Sequence, residues 1–338
     1  MTYAEIIQSN CQKVTPSWWP KYAYHFSDVT NIVNILASGM LYSRVRANQF
    51  GLMKNDNASS QVISMTETKA KAYVRFYFRP LTPTQYNNEG YKHAKLRYYG
   101  DENANVPVPV FLVFDLAKVL TTNGVCFSEL TQAGGGSRLM QGTDAFANLP
   151  FEKIYSDGPC VKEIWQYRHA EILCPDSFSI NDSLRMILCR NECEKATLLN
   201  LLKDTNQTAF YRYKDFVRVA NAHTFNRNGF FVDSVVINED EICFEFAQTY
   251  EKRLFERNKA NQPLEKIKAS FQFEWLNRRS TVLYTVTSEV MIDYINERRV
   301  MFSSIPSLQG SYRVRITMRI DNNIICVANH LLEQAEII

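Results

Sequence analysis

Residues 73–83 read Tyr73-Val74-Arg75-Phe76-Tyr77-Phe78-Arg79-Pro80-Leu81-Thr82-Pro83. Side chains alternate along a strand, so Tyr73, Arg75, Tyr77 and Arg79 share one face and Val74, Phe76 and Phe78 the other. A face of tyrosine and arginine can stack a planar ring and hold a phosphate. The plainer reading is a core strand with two solvated arginines. Two further segments carry polar groups of chemical interest. In His25-Phe26-Ser27, His25 and Ser27 share a face of an extended run, and Asn31 follows in a first helical turn. Together they offer hydrogen bonds suited to a carboxamide and a ribose, although a histidine among aromatics also serves as a structural residue. In His169-Ala170-Glu171-Ile172-Leu173, Glu171 interrupts an apolar run. Strand alternation could turn it to solvent; alternatively it is a catalytic carboxylate at the mouth of a cleft.

The elements that must position these groups are partly legible. Residues 28–39, DVTNIVNILASG, predict a helix capped by Asp28 or Thr30, with Ile32, Ile35 and Leu36 on one face and Gly39 at its end. The preceding AYHF is β-like, which puts His25 where a strand hands over to a helix. Residues 47–70 are polar and predict loop and short helix. VPVPVFLVFD, ending in Asp115, predicts a second strand, and HAEILC a third. Residues 129–163 contain AGGGSR and SDGP and little periodicity, so a long loop is expected there. Residues 181–203 read as helical, with Leu184, Ile187, Leu198, Leu201 and Leu202 apolar. Beyond about residue 230 the texture becomes strand-rich, through FFVDSVVI, EICFEFAQ, KASFQFEWL, TVLYTV, YRVRITMRI and NIICVAN, with one helix expected at 288–299.

Composition narrows the class. The 338 residues are 46% hydrophobic, enough for one or two cored domains. The net charge of +3 gives no overall basic field, so any nucleic-acid contact must rest on local positive charge. None of the eight cysteines forms a C-x-x-C pair, and Cys189 and Cys193 are expected on one helix. We read them as reduced thiols of a cytoplasmic protein. The N-terminal residues show no signal-peptide pattern, and no run is long enough to span a bilayer.

Taken in order, the three segments resemble the DarT family of DNA ADP-ribosyltransferase toxins. That family shows H-x-T-x-x-x-N near the N-terminus, then a [YV]-P-F-Y-F-x-P-R-[ST]-P-M strand and turn, then A-E-F-L with the catalytic glutamate. The counterparts are His25 to Asn31, Tyr73 to Thr84 and His169 to Leu173. The middle motif is the most specific, and the resemblance covers roughly residues 20–235. Ser27 replaces the threonine. The turn reads Pro80-Leu81-Thr82-Pro83-Thr84, with arginine at 75 and 79 instead.

The resemblance implies an α+β fold: an ADP-ribosyltransferase split-β core with peripheral helices over residues 1–235. Residues 236–338 are then a β-rich accessory domain. It implies NAD as cosubstrate and no metal. Glu171 would be catalytic. His25, Ser27 and Asn31 would hold the nicotinamide side of NAD, with Tyr77 beside that pocket and Arg44 or Arg46 on the phosphates. Residues from about 130 to 165 would meet the target base, and Arg75, Arg79, Arg138 and Lys153 are candidate DNA-phosphate contacts. The expected activity is ADP-ribosylation of guanine or thymine in single-stranded DNA by a toxin of a toxin–antitoxin or anti-phage system, partnered by an ADP-ribosyl-hydrolase antitoxin. The alternatives are an RNA or protein acceptor, or a non-catalytic nucleic-acid-binding protein.

Overall fold

The structure is a computed structural model that describes residues 1–52, 71–97, 105–132, 137–159, 161–238, 241–249, 264–303 and 305–332. Strands are numbered in chain order. The first nine are β1 Tyr22–Asp28, β2 Met40–Tyr42, β3 Tyr73–Tyr77, β4 Pro109–Asp115, β5 Cys126–Ser128, β6 Glu171–Pro175, β7 Ser177–Ser179, β8 Leu184–Cys189 and β9 Val217–Val219. The rest are β10 Val232–Ile237, β11 Glu241–Phe246, β12 Ile267–Leu276, β13 Val282–Ile292, β14 Arg299–Ser303, β15 Arg313–Ile320 and β16 Asn323–Leu331.

The central sheet runs β5-β6-β3-β1-β4-β8-β9, antiparallel except for β8 against β9. Its middle is unevenly joined. β1 pairs with β4 along its whole length, from Tyr22↔Asp115 to Asp28↔Pro109. β1 meets β3 only at Tyr24↔Tyr77. The sheet is thus two half-sheets, β5-β6-β3 and β1-β4-β8-β9, hinged at one residue pair. Side-chain alternation on β3 is as expected: Val74 and Phe76 are buried in the core, while Tyr73, Arg75 and Tyr77 are half-buried. Phe76 meets Phe114 and Phe178 edge-on at 5.3 and 5.1 Å.

The helix Val29–Ser38 forms between the expected signals. Asp28 Oδ1 accepts from the Thr30 amide at 3.0 Å, and Gly39 closes the last turn at φ +70°. Its buried residues Val29, Ile32, Val33 and Leu36 join the core of the central sheet.

The structure corrects three element expectations. Residues 181–203 are not one helix: Leu184–Cys189 is β8, paired with β4, and the helix is Glu192–Thr205, capped by Asn191. A short apolar run has no periodicity that separates strand from helix, and pairing with β4 decides it. Cys189 therefore ends a strand while Cys193 lies on the helix. At 288–299 the residues through Ile292 continue β13, held by its pairing with β12 down to Ile267↔Ile292. The 129–163 segment is less open than its lack of periodicity suggested. It contains the helices Thr143–Ala147 and Phe151–Ile154 and the start of Lys162–Trp165, and Phe146, Ile154 and Tyr155 are buried in the central core. Of the 47–70 stretch only the first residues are described, and they continue the helix Arg44–Gln49.

The later strands build a second core. A three-stranded sheet, β10-β11-β14, faces a four-stranded one, β13-β12-β15-β16. Ile267, Ala269, Phe271, Phe273 and Trp275 of β12 point inward, and Phe271 meets Phe244 at 5.1 Å and Phe302 at 4.9 Å. The two cores are tied by the helix Glu192–Thr205. Its Thr197 Oγ1 accepts from the Val327 amide at 3.0 Å, and Asn200 donates to the Val327 carbonyl at 2.9 Å.

A second tie is a close crossing of two backbones. Tyr91 and Phe230 exchange backbone hydrogen bonds, at 2.7 and 3.3 Å. Beside them a Cβ on Gly90, at φ +81°, would lie 2.2 Å from the Asn228 carbonyl oxygen. Gly90→Ala combines that overlap with a left-handed backbone, so it is expected to cost more than about 2 kcal/mol. Thermal unfolding monitored by circular dichroism should show a clearly lower midpoint; an unchanged midpoint would contradict the crossing.

Candidate active site

The hinge between the half-sheets brings most of the chemically interesting residues together. Glu171 opens β6 and lies directly opposite Tyr77 on β3. Arg75, two residues back on β3, is its diagonal neighbour, a distance that a long side chain spans. The Arg75 Nε lies 3.6 Å from Glu171 Oε2, an ion-pair distance beyond hydrogen-bond reach. Glu171 is 1% exposed. The solvent-facing alternative for this residue is therefore excluded: β5 on one side and β3 on the other enclose it.

The loop after β5 covers the carboxylate. Thr131 Oγ1 donates to Oε1 at 3.4 Å, and the Gln132 amide also reaches it. Glu171 Oε2 and Arg75 Nη2 are buried with no hydrogen-bond partner. Buried polar atoms are ordinarily paired, so this orphaned acceptor and orphaned donor fit a polar ligand. Burial raises the Glu171 pKa above the ordinary carboxylate value, and Arg75, Gln132 and Thr131 offset only part of that rise. Burial, then Glu171, push the Tyr77 hydroxyl up to about 12, against smaller opposing effects from Arg75, Thr84 and Arg44.

His25 secures the hinge from β1. Its Nδ1 lies 3.0 Å from the Arg75 carbonyl, across the gap where the ladder is missing. Burial lowers its pKa, so the ring is neutral near pH 7, and this hydrogen bond opposes the shift. Asn31 donates to Ser27 Oγ at 3.3 Å, and both are buried. His25→Ala should loosen β3 against β1 and cost about 1 kcal/mol of stability, the loss of one part-buried hydrogen bond. Thermal unfolding should show a midpoint lower by a few degrees; an unchanged midpoint would mean that the bond does not hold the hinge.

The two phosphate-binding candidates diverge. Arg44 is close enough to Tyr77 to act on its hydroxyl. Arg46 turns to Asp176 at 2.7 Å and lies over the Phe50 ring at 5.7 Å. The nucleic-acid candidates divide as well. Arg75 belongs to the site. Arg79 does not: the strand ends at Tyr77, and Arg79 is 1% exposed, stacked at 4.3 Å on Trp19. It donates to the carbonyls of Pro80, Ile154 and Ser156. It is a buried structural cation, not a DNA contact. Arg138 is exposed beside Ser137, whose carbonyl accepts from the Gln132 side chain at 2.9 Å, so it sits near the loop that covers Glu171. Lys153 is exposed and lies over the Tyr167 ring at 4.8 Å.

Four residues of this neighbourhood were not singled out from sequence: Thr131, Gln132, Thr84 and His169. Thr84 lies near the Tyr77 hydroxyl and lowers its pKa, and its Oγ1 lies 3.4 Å from His169 Nδ1. Thr84 was visible as a departure within the Pro-rich turn, and His169 as the neighbour but one of Glu171. Among the described residues no group of three or more His, Cys, Asp or Glu could hold a metal ion, and no helix is long and apolar enough to cross a membrane.

The family model described as "ssDNA thymidine ADP-ribosyltransferase, DarT" matches residues 24–217. No curated protein matches the chain. Among solved structures, the DarT of Thermus sp. 2.9 in complex with carba-NAD+ is similar at 20% identity and TM-score 0.43, over 56% of this chain and 91% of that one. The same enzyme in complex with ADP-ribosylated single-stranded DNA is similar at 21% identity and TM-score 0.44, over 56% and 90%. The Thermosipho africanus DarTG in complex with ADP-ribose is similar at 9% identity and TM-score 0.46, over 64% and 53%.

Proposed function

Because the chain belongs to the DarT family of single-stranded-DNA ADP-ribosyltransferases, we propose that Glu171 catalyses transfer of ADP-ribose from NAD to a thymine or guanine base. The observation that carries this assignment is the buried Glu171 carboxylate with its unpartnered Oε2, beside the unpartnered Nη2 of Arg75.

NAD supplies a ribosyl bond to a positively charged nicotinamide, which leaves as a neutral ring. As that bond breaks, positive charge develops on the ribose, as in glycoside cleavage. A carboxylate holding the ribose 2′-hydroxyl tightens its hold as the charge grows, and so favours the transition state over the ground state. The new bond forms from a base nitrogen to the same ribose carbon, and the proton displaced from that nitrogen passes to Glu171. A raised pKa suits Glu171 to accept it. Arg75 holds the carboxylate ionised until then. The attacking edge of a base is occupied in a duplex, so single-stranded or extruded bases are the substrate.

In this reading His25, Ser27 and Asn31 serve the nicotinamide side of NAD, and Tyr77 borders that pocket. Arg44 is the phosphate ligand, favoured over Arg46 by its proximity to Tyr77. Arg138, and more remotely Lys153, guide the DNA backbone. The residues before about 230 form the catalytic domain, and the strands β10 to β16 form an accessory domain packed against it. An enzyme that covalently marks DNA needs restraint in its own cell. We therefore place it in the cytoplasm as a toxin of a toxin–antitoxin or anti-phage system, with an ADP-ribosyl-hydrolase antitoxin.

The test is direct. Purified protein is incubated with NAD and four single-stranded oligonucleotides, each enriched in one base, as DNA and as RNA, and intact masses are read. One added ADP-ribose on thymine- or guanine-rich DNA is expected. Addition to RNA alone, or to protein, would replace the acceptor. Unmodified oligonucleotides throughout would overturn the proposal.

A further inference from the structure

His169 is 7% exposed, its Nε2 is buried without a partner, and its Nδ1 faces Thr84 Oγ1 at 3.4 Å. Thr84 in turn lies close enough to the Tyr77 hydroxyl to lower its pKa, as a neighbouring hydroxyl donor does. The ring meets Trp165 edge-on at 4.7 Å, which fixes its plane. Tyr77 itself lies opposite Glu171. A polar chain thus runs from a buried histidine, through one hydroxyl, to a phenol in the candidate site.

The proton order along this chain follows from which orphan is cheaper to bury. A neutral imidazole has one N–H and one bare nitrogen. If Nε2 carried the hydrogen, a buried N–H would be left unsatisfied, and such orphans are rare and costly. With the hydrogen on Nδ1, the orphan is only a lone pair. Nδ1–H then donates to Thr84 Oγ1, and the Thr84 hydroxyl donates to the Tyr77 oxygen. The Tyr77 proton is left over. It does not go to Glu171 Oε2, which has no hydrogen-bond partner.

We propose that His169 and Thr84 are positioning residues that aim the Tyr77 hydroxyl proton at a carbonyl oxygen of the bound substrate. This rests on the reading of Glu171 and Tyr77 as the NAD–DNA site. Two substrate groups carry such a carbonyl: the carboxamide of nicotinamide, and the ring carbonyl of thymine or guanine. Burial lowers the His169 pKa to about 4, so the ring stays neutral and the proton order holds across the physiological range.

The experiment compares Thr84→Val, which keeps the shape and removes the hydroxyl, with Thr84→Ser, which restores it. NAD affinity is measured by calorimetry, and kcat and KM for an oligonucleotide by mass spectrometry. A carboxamide partner predicts that Thr84→Val weakens NAD binding by about tenfold, with Thr84→Ser near wild type. A base partner predicts the same split in the oligonucleotide KM with NAD affinity unchanged. His169→Phe, which fills the site without a donor, should shift the same parameter in the same direction. The proposal is overturned if Thr84→Val matches wild type in both measurements, or if Thr84→Ser is as impaired as Thr84→Val. The outcomes separate cleanly from the reading of the site. An inactive wild type, or an active Glu171→Gln, strikes at that reading; an active wild type that loses activity in Glu171→Gln but tolerates Thr84→Val strikes only at this inference.

Discussion

Glu171→Gln is expected to lower the rate of ADP-ribose transfer by about a thousandfold or more while raising the melting temperature of the free enzyme. On the proposed mechanism, the rate follows from the loss of one buried carboxylate that both stabilises developing charge and accepts a proton. Removal of a group of either kind is worth on the order of 10²–10⁴ in rate. The stability follows from burial. Glu171 is 1% exposed and its pKa lies above the ordinary value, so burial penalises its ionised form by more than Arg75 recovers. Glutamine is neutral and nearly isosteric, and Arg75 retains access to solvent at 26% exposure. A gain of about 1 kcal/mol is the usual scale where a functional group strains its surroundings. The sign with pH can be worked out. A carboxyl with a raised folded-state pKa contributes stability that is complete below its unfolded pKa and is lost as pH rises through the folded value. Glutamine has no such loss. The melting-temperature advantage of Glu171→Gln should therefore be small in acid and widen toward neutral pH, in scanning calorimetry at several pH values. A constant difference, or a less stable variant at neutral pH, would mean that Arg75 outweighs burial.

Much of this site could be seen in the chain, and what was hidden was hidden for physical reasons. Asp28 and Gly39 bracket a helix because capping is local, and the helix lies between them. Tyr73, Arg75 and Tyr77 share a face because alternation is a property of the strand itself. Alternation failed at Arg79, where the strand has already ended. What fixes Arg79 is the Trp19 ring and the carbonyls of Ile154 and Ser156, all distant in sequence. Leu184–Cys189 illustrates the same limit: its apolar run suits either element, and only β4 selects the strand. Glu171 was ambiguous because its exposure depends on whether neighbouring strands enclose it. The sequence can show a carboxylate in an apolar run; only the register with Tyr77 and Ser128 shows it buried. Thr84 and His169 were obscured differently. Each is unremarkable alone, and their contact spans the fold between the Pro83–Asn88 helix and the approach to β6.

Arg190→Met should produce the largest loss of stability of any single change considered, about 3–5 kcal/mol, because one guanidinium neutralises two buried carboxylates at the junction of the cores. Arg190 is 1% exposed. Its Nε lies 3.0 Å from both Glu194 oxygens, its Nη2 also meets Glu194, and Nη1 lies 3.8 Å from Glu89 Oε1. The remaining donors reach the Asn228 and Pro107 carbonyls at 3.1 Å, and the plane stacks on Phe231 at 4.0 Å. Glu89, fully buried, accepts from the amides of Asn226 at 2.8 Å and Arg227 at 2.6 Å, so it holds the chain just before the second core begins. Methionine fills the volume but leaves both carboxylates without their cation. A fall in melting temperature on the order of 10 °C is expected. Lysine should not rescue it, since a single ammonium cannot reproduce the forked contacts. Acid should: burial already raises the Glu194 pKa, and without Arg190 it rises further, so the deficit shrinks as pH falls and Glu194 takes a proton. Adding Glu194→Gln to Arg190→Met should recover part of the loss at neutral pH, because the two side chains share one interaction and their effects are not additive. If the double variant instead lost the sum of the two single losses, Arg190 would be stabilising the junction through its stacking and carbonyl contacts, with Glu194 as a bystander.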